Sequence, residues 1–308
     1  MKTLLISAAL ALISSQVFAQ TPDPTLATPE GTDISVSLGS YTYTEPGDTA
    51  ISIHGLKVGG DFTGTLAISQ RHHVFFQTNA RGLVGATKYT GWCSPFFITP
   101  NSGSPNGYEL RVGGPSPCTE SGDKDWYVEA RGLVGKDMIG DHWAFSPYSG
   151  AGLRYLSNGT TGTAGYRTDK YLYVPVGVTS RTKAGSHALS FTLEGDALVH
   201  GWQKTRDSEL GGGDVPATPI APAFTIEGFS DISFTQSKGW ALRASAKYDV
   251  TPHLSLEPYY IRWTVGASPR NDETVTFTVN GITAREQLGA YEPLNHTNEA
   301  GVKLGFHF

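Results

Sequence analysis

Apolar and polar positions alternate with a period of two along most of the chain, and the alternation is strictest over 300–308. There Ala300, Val302, Leu304, Phe306 and Phe308 share one face of an extended strand, while Gly301, Lys303, Gly305 and His307 share the other. The pattern recurs upstream. Trp240, Leu242, Ala244, Ala246 and Tyr248 alternate with Ala241, Arg243, Ser245 and Lys247. Trp126, Val128, Ala130, Gly132 and Val134 alternate with Tyr127, Glu129, Arg131 and Leu133. With the turn-forming residues between such runs, the pattern predicts strands near 32–43, 56–69, 73–89, 125–136, 142–156, 169–182, 186–202, 237–249, 253–266 and 296–308. The connections at 69–72, 136–141, 182–186 and 250–253 are short, and those at 44–55, 90–124, 158–168, 203–236 and 267–295 are long. Short and long alternate, as an up-and-down barrel with tight turns at one end and long loops at the other requires.

A chain that crosses a bilayer must satisfy its backbone polar groups internally, which leaves helices or closed barrels. Beyond the amino-terminal segment, no stretch holds the ~18 consecutive apolar residues of a membrane helix. The predicted fold is therefore all-β, a single antiparallel transmembrane barrel of about ten strands, with 8–12 allowed by the same bookkeeping. An exported β-sandwich is the competing reading, and the alternation of loop lengths favours the barrel. Residues 1–19 read as a signal peptide: Lys2 is their only charge, Leu4–Ile13 is apolar, and Val17-Phe18-Ala19 suits cleavage before Gln20. Residues 20–31 read as a disordered periplasmic segment and 32–308 as the barrel. The formal charge of −5 gives no basic surface for nucleic acid.

In this strand count, in its alternation and in its aromatic-ended closing strand, the chain resembles the broad group of small Gram-negative outer-membrane barrels, porin-like or opacity-type. The resemblance implies residence in the outer membrane, contact with its lipid, and recognition of the last strand by the barrel-assembly machinery. Phe306 and Phe308 keep the aromatic end of that signal, whereas Lys303 stands where the group favours Gly. No functional residue carries over.

The inferred strand number also resembles that of omptin proteases, which use paired acids and an Asp-x-His element at the outer rim. The sequence has no Asp-x-His, and Asp123-Lys124-Asp125 reads as loop charge. Arg154-Tyr155-Leu156-Ser157-Asn158 is similar to the His-x-Ser-Asn element of lipid A deacylases, but Tyr155 replaces the base that would activate the serine. The nine His have no metal-ligand spacing, and no cofactor motif occurs. The expectation is no catalytic residue, no metal, no cofactor and no enzymatic role.

Two further readings concern the lumen and the loops. Register counted from the short turns sets Asp61 opposite Arg81 and Lys247 opposite Glu257. It makes Arg81 and Arg131 near neighbours, with Glu129 one same-face position away. Glu194, Asp196, His200, Arg154 and Arg243 are assigned to the same inner face. Such a cluster reads as a salt-bridged plug or as a channel lining, and a ten-stranded lumen is narrow. Trp92, Trp126, Trp143, Tyr171, Tyr173, Trp202, Trp240, Tyr248, Tyr260 and Trp263 read as aromatic girdles. The second copy of Ala-Arg-Gly-Leu-Val-Gly (80–85 and 130–135) falls on the neighbouring strand and is no hairpin repeat. Cys93 and Cys118 read as one disulfide within a long loop, and the Gly- and Pro-rich 203–236 connection as irregular. Three functions fit: a plugged barrel with surface loops as its working part, facing an extracellular ligand; a narrow diffusion channel; or a rim enzyme acting on lipid A or peptides.

Overall fold

The computed structural model describes residues 26–47, 51–93, 95–114, 116–159, 166–185 and 187–308. The expected signal peptide (1–19) and the first half of the expected tail lie outside them. Ten long strands form the barrel: β1 (Gly31–Glu45), β2 (Ile51–Ser69), β3 (Val74–Cys93), β4 (Ser116–Lys136), β5 (Trp143–Asn158), β6 (Tyr166–Ala184), β7 (His187–Arg206), β8 (Gly239–Thr251), β9 (Leu254–Val265) and β10 (Asn295–His307). Each pairs antiparallel with its neighbour in sequence, and β10 pairs with β1 from Asp33↔His307 to Thr44↔His296. Closure leaves no unpaired edge, which is what permits a sheet to cross lipid.

The even-numbered faces of β1, β10 and β8 point outward. Val36, Leu38, Val302, Leu304, Trp240 and Leu242 are exposed there, although each would be buried in a water-soluble core. This apolar belt continues around the barrel through Leu56, Val58, Val128, Leu153, Val176 and Leu193. Buried side chains lie on the opposite face, within the lumen. The same parity corrects part of the girdle assignment. Trp143, Trp202, Trp240 and Tyr260 face outward, whereas Tyr171, Tyr173 and Trp263 are buried inside the barrel. His200 also changes sides: a register shift between Leu198 and His200 turns it toward Trp202, 4.3 Å between ring centroids.

Residues 26–30 do not behave as the free tail expected of them. Leu26 is buried, and Thr28 donates to Asp137 from its backbone N–H (2.8 Å) and its hydroxyl (2.6 Å). Asp137 lies in the 137–142 turn, so this segment packs inside the periplasmic mouth.

The long connections carry more order than expected. Phe96–Pro100 pairs with Tyr108–Val112 as a small hairpin. Gly213–Val215, Phe224–Phe229, Asn271–Val279 and Ile282–Ala290 form a separate four-stranded sheet. Ile98, Leu110, Phe224, Ile226, Val275 and Phe277 pack together between them, and Glu286 accepts the Leu110 N–H at 2.8 Å. The outer loops thus fold into a cap with an apolar core of its own. Asn280 and Gly281, both at positive φ, turn its last hairpin, the conformation that a two-residue type I′ turn needs.

Glu273 of the cap lies against Asp207, just past the outer end of β7. Burial, and then the neighbouring Asp207 carboxylate, push the Glu273 pKa up to about 8. A carboxyl whose folded pKa is raised holds a proton that the unfolded chain has already lost. Its contribution to stability is therefore complete below the ordinary Glu value near 4.5 and fades as pH rises to about 8. Amide exchange over 271–290, corrected for intrinsic rate, should be faster at pH 8.5 than at pH 5.5, and Glu273→Gln should abolish the difference.

Candidate functional site: the charged lumen

The inner face of the barrel places ionisable side chains in layers. Asp61 and Arg81 are direct partners across β2 and β3, as counting about their turn predicts. The next pairing differs: Arg81 faces Glu129, and Arg131 faces Asn79. The two arginines are one same-face position further apart than expected. A register shift beside Lys88, where Gly122 takes a φ of 95°, adds a residue to β4 that counting across the 90–124 connection cannot detect. The repeated hexapeptides meet here, with Ala80 directly opposite Ala130.

Arg81 donates to Glu299 (2.6 Å) and to the Tyr127 hydroxyl (2.8 Å), with Asp61 at 3.3 Å. Tyr127 and Tyr259 in turn donate to Glu299 at 2.8 and 2.9 Å. Glu129 accepts two bonds from Arg243, each 2.8 Å, and Arg243 also reaches Asp196 at 2.7 Å. Arg131 donates to Glu194 at 2.5 Å, and Tyr148 caps that carboxylate at 2.7 Å. Glu299 is missing from the cluster that the sequence predicts. Its position opposite Tyr41 and Ile261 exists only once β10 closes on β1 and β9.

Lys247 and Glu257 do not bond each other. Lys247 pairs with Asp33 (3.3 Å), and Glu257 with Lys303 (3.5 Å), which also approaches Asp61 at 3.4 Å. Hairpin counting sees only β8 and β9, whereas closure brings partners from β1 and β10. With Arg131, these charges line a cavity of about 890 Å³ that opens toward the periplasmic turns and is roofed by Arg81, Glu129, Arg243 and Tyr259.

Beyond that roof, aromatic rings and cations project into the lumen. Lys57 pairs with Asp125, which also accepts from Asn158 at 2.5 Å. The Lys57 ammonium lies 3.3 Å from the centroid of the Tyr41 ring. The Arg154 guanidinium lies 4.1 Å from that of Tyr127 and 5.7 Å from that of Trp263. Trp263 packs on Tyr171 and Tyr173, with centroids 5.9 and 5.1 Å apart. Tyr41 and Lys57 are 0 % exposed, Arg154 and Tyr127 1 %, and Trp263 2 %. Cations desolvated this fully are held by carboxylates and ring faces together. Nearer the cap, Arg167 sits 3.3 Å from Glu45 and 3.4 Å from Glu292, and Gln203 donates to Glu292 at 2.7 Å.

Asp125 is occupied by Lys57 and Asn158. Tyr155 faces outward and stacks on Trp126 at 5.3 Å, while Ser157 is buried in β5. Among the described residues no group of three or more His, Cys, Asp or Glu could hold a metal. Cys93 and Cys118 form a disulfide at the outer end of β3 and β4, Cα atoms 5.7 Å apart.

No family model and no curated protein matches the sequence. The fold is similar to that of the outer membrane protease OmpT from Escherichia coli, with a TM-score of 0.50, 10 % identity, and 91 % of this chain and 98 % of that chain covered. Weaker likenesses include the translocator domain of the autotransporter NalP from Neisseria meningitidis (TM-score 0.35, 10 % identity, 91 % and 90 % covered) and the attachment invasion locus protein Ail of Yersinia pestis (TM-score 0.28, 9 % identity, 91 % and 100 % covered). At these identities the likeness extends to the fold. Ten antiparallel strands closed on themselves, an apolar belt outside and a charged lumen inside give this chain the fold of a Gram-negative outer-membrane β-barrel.

Proposed function

We propose that this barrel is closed to solutes and that its working part is the outer cap, held above the membrane by a rigid, plugged stem. The observation that carries this reading is the layer of Tyr41, Lys57, Tyr127, Arg154 and Trp263, each at most 2 % exposed. Opening a path there would require separating Lys57 from Asp125 and Arg154 from its two rings. Removing one partner of a buried charge pair costs about 3–5 kcal/mol, so an open state reached by side-chain motion would be rare. The cap suits surface interaction because it combines its own apolar core with a disulfide at its base. Most charges in the lumen have an opposite charge within 4 Å, which suits a structural network, although buried Asp169 makes no ion pair with a described residue. The narrow-channel alternative draws support from the periplasmic cavity, which covers only the lower part of the lumen.

The test is swelling of proteoliposomes in iso-osmotic arabinose. Vesicles holding the folded barrel should swell no faster than empty vesicles. Swelling at a rate set by protein content would overturn the closed reading and favour the channel.

A further inference from the structure

The outward face of the barrel is asymmetric in charge. Among the residues whose side chains are described, no Asp or Glu occupies an outward position on the ten strands, because alternation turns each of those carboxylates to the lumen. The outward charges are all basic. Lys204 and Arg206, at the rim, are matched by the loop carboxylates Asp231 (2.7 Å) and Glu209 (3.3 Å). Lys88, Lys124 and Lys170 are exposed, and none makes an ion pair with a described carboxylate.

These three lysines sit on the outer half of β3, β4 and β6, on the side of the long connections. Lys170 is the direct partner of Tyr155 on β5 and of Trp202 on β7, and its ammonium lies 5.8 Å from the Tyr155 ring centroid. Tyr155 stacks on Trp126, whose next outward neighbour along β4 is Lys124. Lys88 lies one strand over, opposite Ser121. Directly below come Val84, Val128 and Leu153 of the apolar belt. The patch therefore offers, from the cap side downward, free ammonium groups, a row of aromatic rings and an acyl-compatible surface.

We propose that this face of β3–β7 binds a phosphorylated glycolipid of the outer leaflet, with Lys124 and Lys170 taking its phosphates and Lys88 adding charge from above. Unpaired ammonium groups at the headgroup level gain charge-assisted hydrogen bonds from phosphate. The Trp126–Tyr155 pair and Trp202 present flat amphipathic faces to the sugar and the first methylenes. The complementarity lies in the excess: a zwitterionic headgroup would leave the lysines without a net counter-charge. This surface is independent of the lumen, so the inference stands whether or not the barrel conducts.

The test is native mass spectrometry of the folded full chain in detergent, with diphosphoryl lipid A, dephosphorylated lipid A and phosphatidylglycerol as the three probes. Diphosphoryl lipid A should give saturable one-to-one adducts, at least tenfold stronger than either of the others. Lys124→Glu/Lys170→Glu should weaken those adducts at least tenfold, and Lys136→Glu, near the periplasmic turns, should leave them unchanged. Should charge reversal prevent folding, Lys124→Gln/Lys170→Gln gives the same comparison with a smaller loss. Equal adducts in the double variant, or binding of diphosphoryl lipid A no stronger than that of either other lipid, would overturn the proposal.

Discussion

Arg243→Ala is expected to lower the unfolding free energy of the barrel by about 3–5 kcal/mol, the cost of leaving a buried partner charge uncompensated. Arg243 is the sole bidentate donor to Glu129 among the described residues, and it also holds Asp196 at 2.7 Å and lies 3.1 Å from Glu194. Its removal strands Asp196 and leaves Glu129 only the longer contacts to Arg131 (4.0 Å) and Arg154 (3.9 Å), because Arg131 is already committed to Glu194. Lys at this position restores the charge but not the fork, so Arg243→Lys should recover only part of the loss. Replacing Arg243 and Glu129 together by Met and Gln should cost less than Arg243→Ala alone, because the second change removes one of the stranded charges. Guanidinium titration of the refolded barrel in detergent, followed by tryptophan fluorescence, measures all three. An Arg243→Ala barrel with unchanged midpoint would mean that water reaches Glu129 and Asp196, and so that this layer is wet.

The second large effect concerns the cap. Reduction of Cys93–Cys118, or Cys93→Ser, should destabilise the outer ribbon of β3 and β4 by about 3–4 kcal/mol on the chain-entropy model, for a sequence separation of 25 residues. The barrel wall should survive, since its closure depends on strand pairing well below the bridge. The hairpin Phe96–Pro100/Tyr108–Val112 stands directly above the bridge and contributes Ile98 and Leu110 to the cap core. Limited proteolysis should therefore cut within 94–115 in the reduced protein at a rate at least tenfold above that of the oxidised one, and leave the strands intact. Equal rates would show that the cap core alone orders this loop.

The ten strands and their turns were legible because lipid outside and charge inside enforce a period of two that few other folds sustain. Where the period was applied consistently, it was informative, and where it was relaxed, errors entered. Tyr171 and Tyr173 share parity with Pro175, opposite to exposed Leu172, Val174 and Val176, so their place in the lumen could have been read. Trp263 likewise opposes the parity of outward Tyr260. The last cap hairpin is also legible: Val275, Phe277 and Val279 alternate with Thr276 and Thr278 before Asn280-Gly281, a standard hairpin signal inside the long 267–295 connection. Two things were out of reach. Register across a long connection depends on bulges such as that at Gly122, which shift every later contact. The partners chosen by Lys247, Glu257 and Arg81 depend on closure, since Asp33, Lys303 and Glu299 lie more than 200 positions from Lys247 or Arg81, or on a strand that hairpin counting never brings near.

The closed lumen is tested most directly by single-channel recording of the folded barrel in a planar bilayer in 1 M KCl, a salt level of order that screens exposed charges within about 3 Å. The expected trace is flat at the baseline across the voltage range, with no unitary steps, and it should remain flat after reduction of Cys93–Cys118. Stable, uniform steps in the unreduced protein would require a continuous water path past Tyr41, Lys57, Arg154 and Trp263, and would contradict the plug outright.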